Sequence, residues 1–181
     1  LGSGDGARWE GGIYATLYLA PPDYHRVHAP AAGHVREARY IPGGYRPVHP
    51  RAVASIPGLF ASNERLITFL ETDRGRVAVV MVGACMVGGI RVCYDLGWNA
   101  GPGPHLAVGR SYDPPRAFAR GQELGLFEFG STVILLAEPA VAATLTAAPG
   151  TRLRLGQALA SRGDRFNAAP ACAETPRPEA Y

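Results

Sequence analysis

Short apolar runs separated by clusters of Gly, Pro and charge run along the whole chain, and the pattern predicts strands far more than helices. Ile13–Leu19 places Ile13, Ala15, Leu17 and Leu19 at every second position, with Tyr14, Thr16 and Tyr18 between them. That period of two predicts a half-buried strand. Ala20-Pro21-Pro22 ends it, because proline has no N–H for a ladder. Residues 34–40 read as a further strand before a Pro-Gly-Gly turn at 42–44. Residues 64–72 and 77–82 flank Asp73-Arg74-Gly75-Arg76 and predict a hairpin. Residues 86–94 predict another strand, 127–136 a strand broken at Gly130-Ser131, and 151–160 a last one with Leu153 and Leu155 facing inward. Residues 46–60 and 97–115, punctuated by Pro and Gly, are expected to be connections. Residues 1–12 are expected to be irregular and 161–181 a loose tail. The expected fold is mainly β, a compact sandwich with few helices, in which residues 1–160 form one domain.

Composition narrows the possible chemistry. With 181 residues, 47% hydrophobic and 18% charged, the chain can bury a core and is not a disordered polymer. A net charge of +3, with no basic run interleaved with aromatics, leaves nucleic acid out of the expected partners. All 18 basic residues are arginine. Without lysine the chain can build neither an internal Schiff base to pyridoxal phosphate nor an ordinary lipoyl or biotinyl attachment. Any carbonyl chemistry on amines needs another carbonyl. Cys85, Cys93 and Cys172 form no CxxC pair and suit a reducing compartment. The longest uncharged run, 77–90, is too short to span a bilayer. Because the chain begins at Leu1, a further N-terminal segment is expected.

Two local features invite chemistry. Gly130-Ser131 interrupts an apolar run, which on its own marks a bulge or bend. His25 and His28 lie three apart just beyond a strand, where a helical turn would set both on one face. The pair is equally readable as two surface histidines, or as half a zinc site lacking a third ligand from His34, His49 or His105.

Several segments in the same order widen the picture: YLAPPDYHRVHAP at 18–30, NERL at 63–66, VGACMVGGI at 82–90, GQELGLFEFGSTVILL at 121–136 and GTRLRLGQALA at 150–160. Together they resemble the phosphatidylserine decarboxylases. The resemblance implies a β-sandwich of barrel-sandwich type related to lipoyl-carrier domains. It implies self-cleavage between Gly130 and Ser131, giving one chain that ends at 130 and another that begins at 131. Ser131 would become the pyruvoyl cofactor, His28 the base for self-processing, His25 the proton donor in decarboxylation, and Tyr18 a substrate contact. The implied substrate is phosphatidylserine at a membrane surface, with the protein peripheral on the cytoplasmic face of a bacterial membrane and anchored mainly by N-terminal helices. Pairing of two copies stays open. Trp98, Leu106 and Tyr112 in the 97–115 connection form a candidate membrane rim.

The chain departs from the family pattern in places. Cys85 stands where the family has Thr, Gly89 where it has Ser, and Val-His-Pro at 48–50 where it has an Asn-containing turn. The processing aspartate of the family lies in an upstream Asp-Gly motif, and Asp5-Gly6 is too close to the histidines to be that motif. Two rival readings make different predictions. A non-catalytic sandwich used as a binding or carrier module leaves the chain intact, and a metalloprotein built on the HxxH pair binds zinc.

Overall fold

The computed structural model describes residues 6–84, 89–100, 106–128, 131–141 and 143–162. In chain order the elements are α1 (Gly6–Trp9), β1 (Ile13–Leu19), β2 (Arg26–His28), β3 (Gly33–Ile41), α2 (Pro50–Ser55), α3 (Leu59–Ser62), β4 (Arg65–Thr72) and β5 (Gly75–Val82). They continue with β6 (Ile90–Val92), β7 (Asn99–Ala100), β8 (Val108–Phe118), β9 (Glu123–Phe127), β10 (Ser131–Ala137), β11 (Ala143–Leu145) and β12 (Ala160–Arg162). A six-stranded antiparallel sheet has the order β1-β10-β5-β4-β3-β8, and a four-stranded one the order β2-β9-β6-β7.

The two sheets share one apolar core, as the expected sandwich requires. Val27, Ile90, Val92, Leu124 and Phe127 from the smaller sheet cluster with Val35, Leu66, Leu70, Val79, Met81 and Val133 from the larger. The larger sheet is also covered on its other face. There Ile67, Phe69, Ala78, Val80 and Val82 pack with Trp9 of α1 and Phe60 of α3. Burial on both faces explains why β4 and β5 read as unbroken apolar runs while β1, at the sheet edge, alternates cleanly. The predicted hairpin is there, with Thr72 opposite Gly75.

Several expectations change against the structure. The run at 127–136 is not one kinked strand: β9 ends at Phe127 in the smaller sheet, and β10 begins at Ser131 in the larger. The chain changes sheets there, and an apolar run that serves two inner faces in succession cannot reveal the crossing. Residues 46–60 contain two short helices; α2 starts from His49, whose Nδ1 accepts the Ala52 N–H at 3.3 Å, with Pro50 in its first turn. Residues 151–158 form no strand, Leu155 is exposed, and only Ala160–Arg162 pairs, with β11. Of the strand expected at 86–94, Ile90–Val92 is present and residues 85–88 lie outside the described residues.

In the region expected as a 97–115 connection, Asn99–Ala100 and the start of β8, the edge strand of the larger sheet, are β-structure, and residues 101–105 lie outside the described residues. Trp98 is 5% exposed and belongs to the main core. The Arg110 guanidinium lies over its ring at 4.7 Å, and Arg110 also pairs with Asp95 at 2.7 Å. Tyr112 is half-buried and donates to Asp95 at 3.0 Å. Neither ring is available as a membrane anchor; of the three residues named, only Leu106 is exposed. Trp98→Ala should therefore cost about 3–5 kcal/mol of stability, read as a lowered urea midpoint. An exposed anchor would leave that midpoint unchanged.

Candidate functional site

Ser131 opens β10, whose β-branched and leucine-rich sequence STVILLA suits an interior strand. Ladders hold it on both sides. Ser131 pairs with Leu19 of β1, and Thr132 pairs with Val82 of β5. Val133 and Leu135 enter the core between the sheets, so the pleat turns Ser131, two positions earlier, to that same interior. Ser131 is fully buried, and its Oγ has no hydrogen-bond partner among the described residues. Gly130 lies outside the described residues.

His25 precedes β2 and His28 ends it, and β2 is a strand and not the helical turn their spacing suggested. On a regular strand residues three apart face opposite ways, and a bulge between Val27 and His28 interrupts that alternation. The His25 carbonyl accepts the Phe127 N–H at 3.0 Å. His25 therefore stands at the end of β9 from which the chain leaves toward Ser131, and its Nε2 is buried without a partner. His28 lies opposite Glu123, at the other end of β9. Its Nδ1 is 2.8 Å from the Gly121 carbonyl, which can only accept, so Nδ1 carries the proton. The Nε2 lone pair then accepts the Tyr24 hydroxyl at 2.9 Å, and the Tyr24 ring stacks on the imidazole.

Tyr18 pairs with Thr132, one register step from Ser131, and so leaves the opposite face of the sheet. It is 39% exposed. The fold thus gathers Ser131 and His25 toward the crossing between the sheets, ties His28 to Tyr24 and Gly121, and sends the Tyr18 ring elsewhere. Among the described residues no three His, Cys, Asp or Glu side chains are grouped to hold a metal ion. His49 is occupied as a helix cap. Gly89 has φ +129°, a backbone that favours glycine over the serine expected there. Cys85 lies outside the described residues.

Two polar residues near this site escaped the sequence reading. Tyr24, which bonds His28 Nε2, sits inside the DYHRVH segment, but nothing in spacing marks it as a partner. Glu64 is fully buried, and its Oε1 accepts the Tyr40 hydroxyl at 2.6 Å. Burial, then hydrogen bonding to Glu64, pushes the Tyr40 and Tyr45 phenols well above the usual tyrosine range, so both stay neutral donors. The neighbouring Asn63 amide is spent on backbone, donating to the Arg46 and Gly83 carbonyls at 2.9 Å each. A charge written directly before the apolar run of β4 is the only sequence signal for a buried acid.

A model of the family described as phosphatidylserine decarboxylase matches residues 2–161. A phosphatidylserine decarboxylase proenzyme of Anaeromyxobacter sp. (strain K) is 52% identical over 155 residues, 84% of this chain and 55% of the relative. The proenzyme of that name from Nitrosococcus oceani is 45% identical over 135 residues, 74% of this chain and 44% of its own length. That of Brevibacillus brevis is 41% identical over 157 residues, 86% and 56% respectively. The chain spans about half the length of the curated relatives it matches. With the family model covering nearly all described residues, the chain belongs to the phosphatidylserine decarboxylase family.

Proposed function

We propose that this chain is the catalytic part of a pyruvoyl-dependent decarboxylase that converts phosphatidylserine to phosphatidylethanolamine and carbon dioxide, activated by cleavage between Gly130 and Ser131. The observation that carries the reading is Ser131 itself: a buried hydroxyl at the first position of an interior strand, with no partner. A structural serine so buried would be expected to bond a neighbour, since an unmet buried donor costs about 1–3 kcal/mol. A serine consumed by chemistry has no such requirement.

In the proposed processing a base takes the proton from Ser131 Oγ, which attacks the carbonyl of residue 130, and the amide becomes an ester. Elimination across the Ser131 Cα–Cβ bond releases the carboxylate of the first chain. Water then replaces the remaining nitrogen, ammonia leaves, and a ketone stands at the new terminus. Attacking and attacked groups are neighbours in sequence, so reach is assured and geometry sets the rate. His28 suits the base because its Nδ1–H is held by the Gly121 carbonyl, leaving the Nε2 lone pair to accept a proton once Tyr24 gives way. Two buried polar atoms without partners, Ser131 Oγ and His25 Nε2, fit a pyruvoyl position with an imidazole beside it. That group, once formed, supplies the amine-reactive carbonyl and electron sink that a lysine-free chain cannot obtain from pyridoxal phosphate. His25 Nε2 would hold the proton returned to the substrate carbon. Tyr18 is left with the outer parts of the substrate and no proton transfer.

A diacyl substrate places the work at a membrane surface, since each CH₂ taken out of the bilayer costs about 0.8 kcal/mol. No helix among the described residues is long and apolar enough to cross a membrane. Peripheral attachment on the cytoplasmic face is the proposed location, with the two cleavage products held together as one enzyme.

Denaturing mass spectrometry of the full-length protein should find two chains, the smaller beginning at residue 131 without a free amino group; Ser131→Ala should give one chain and no turnover. Uncut wild-type protein that still decarboxylates would sink the proposal. The histidines should separate by role. His28→Ala should block cleavage, and His25→Ala should still cleave yet lose roughly 100-fold or more in turnover, on the order of a lost general acid. Cleavage blocked only by His25→Ala would exchange the two assignments.

A further inference from the structure

Glu64 has an oxygen that nothing explains. Oε1 is bonded by Tyr40, but Oε2 is buried and has no hydrogen-bond partner among the described residues. The sheet register says where it lies. Thr132 pairs with Val82 and Val133 with Met81, so the next step places Gly83 beside Ser131. On its other side Gly83 donates its N–H to the Glu64 carbonyl at 2.9 Å. Ser131, Gly83, just past the end of β5, and Glu64, just before β4, therefore extend the register of the three strands as one row. Residues in one row share a face. Ser131 faces the inter-sheet core as Val133 does, and Glu64 faces it as Leu66 does.

Between them Gly83 has no side chain. A Cβ built on Gly83 would lie 3.2 Å from Glu64 Oε2 and 3.6 Å from Tyr45 Cδ1. The free carboxylate oxygen thus leans over the bare Gly83 backbone, toward the strand that carries Ser131. Gly83 lacks the positive φ that would itself demand glycine, so its missing side chain serves space and not backbone conformation. Two unpartnered buried atoms, Ser131 Oγ and Glu64 Oε2, thus belong to residues on either side of a glycine that carries no side chain.

We propose that Glu64 Oε2 is the subsite for the substrate's ammonium group, the group that must meet position 131. A carboxylate fixed at Oε1 by the Tyr40 phenol, with the Tyr45 phenol beside it, is oriented and buried, and an alkylammonium at Oε2 supplies a donor with a compensating charge. This rests on the reading of Ser131 given above, because it is the amine of an amino-acid headgroup that this chemistry requires there. The purely structural alternative is that Glu64 only holds Tyr40 and Tyr45 in place.

The test uses the full-length protein and the soluble headgroup glycerophosphoserine. Binding is measured by calorimetry in the Ser131→Ala background, which cannot process, so the result does not depend on the cofactor. Glu64→Gln should keep Tyr40 bonded yet weaken glycerophosphoserine roughly 10–100-fold, the scale of one charge-assisted hydrogen bond. It should leave glycerophosphoglycerol, which has no amine, unaffected. Gly83→Ala, whose Cβ would press on Glu64 Oε2, should weaken glycerophosphoserine in the same way. In the processing-competent protein both variants should still be cut into two chains, with KM for a short-chain phosphatidylserine raised by the same factor. Unchanged glycerophosphoserine affinity in both variants, or equal losses for the two headgroups, overturns the ammonium subsite. Intact binding losses in a protein whose wild type is never cleaved would leave the subsite standing and overturn the pyruvoyl reading instead.

Discussion

Everything about the site depends on β10 being paired on both sides, with β1 from Ser131 onward and with β5 from Thr132 onward. β1 pairs with it from Leu19 to Ile13 and β5 from Val82 to Val77, so Ser131 is held at a set height in the sheet and on a set face. A serine on a free loop could turn its hydroxyl to water. Here the pleat drives it into the space between two sheets, where only what the protein provides can meet it. The smaller sheet delivers the chain to that point through β9 and delivers His25 through β2.

The cost of this arrangement is visible in the polar groups left without partners. Ser131 Oγ, His25 Nε2 and Glu64 Oε2 are all buried and unbonded, as are Thr132 Oγ1 and Trp9 Nε1. Asn63, one residue from Glu64, shows the contrast: its amide satisfies three backbone groups and locks the turn before β4. The apolar body of the sandwich carries the deficit. Its core runs continuously through both sheets, and a second cluster seals the back of the larger sheet beneath the arginines that stack on Phe69.

Strands with a distinctive period were legible from residues alone. Ile13–Leu19 matches its alternation position by position, and the hairpin around residue 74 follows from its turn chemistry. Segments whose partners are distant were misread. Residues 97–115 look like a connection because they are rich in Gly and Pro, yet β8 is an edge strand and Pro114 and Pro115 fall in the unpaired step between Ser111 and Arg116, where no ladder N–H is needed. Residues 151–158 have an alternating pattern but no neighbouring strand to pair with, so the pattern alone did not make a strand.

What the sequence by itself determined is the chemistry available: no lysine, one serine after glycine inside an apolar run, two histidines three apart, and a β-rich pattern with a family likeness. Those depend on residue identity and local order, which a linear reading holds in full. The tertiary structure alone decided which of these groups meet. That the run at 127–136 crosses between sheets, that a bulge and Tyr24 set the His28 ring, that Trp98 is core, and that Glu64 shares a row with Ser131 are all consequences of pairing between distant segments. Register moves a side chain from one face to the other with a shift of a single residue, and no local pattern records which register a remote partner will impose.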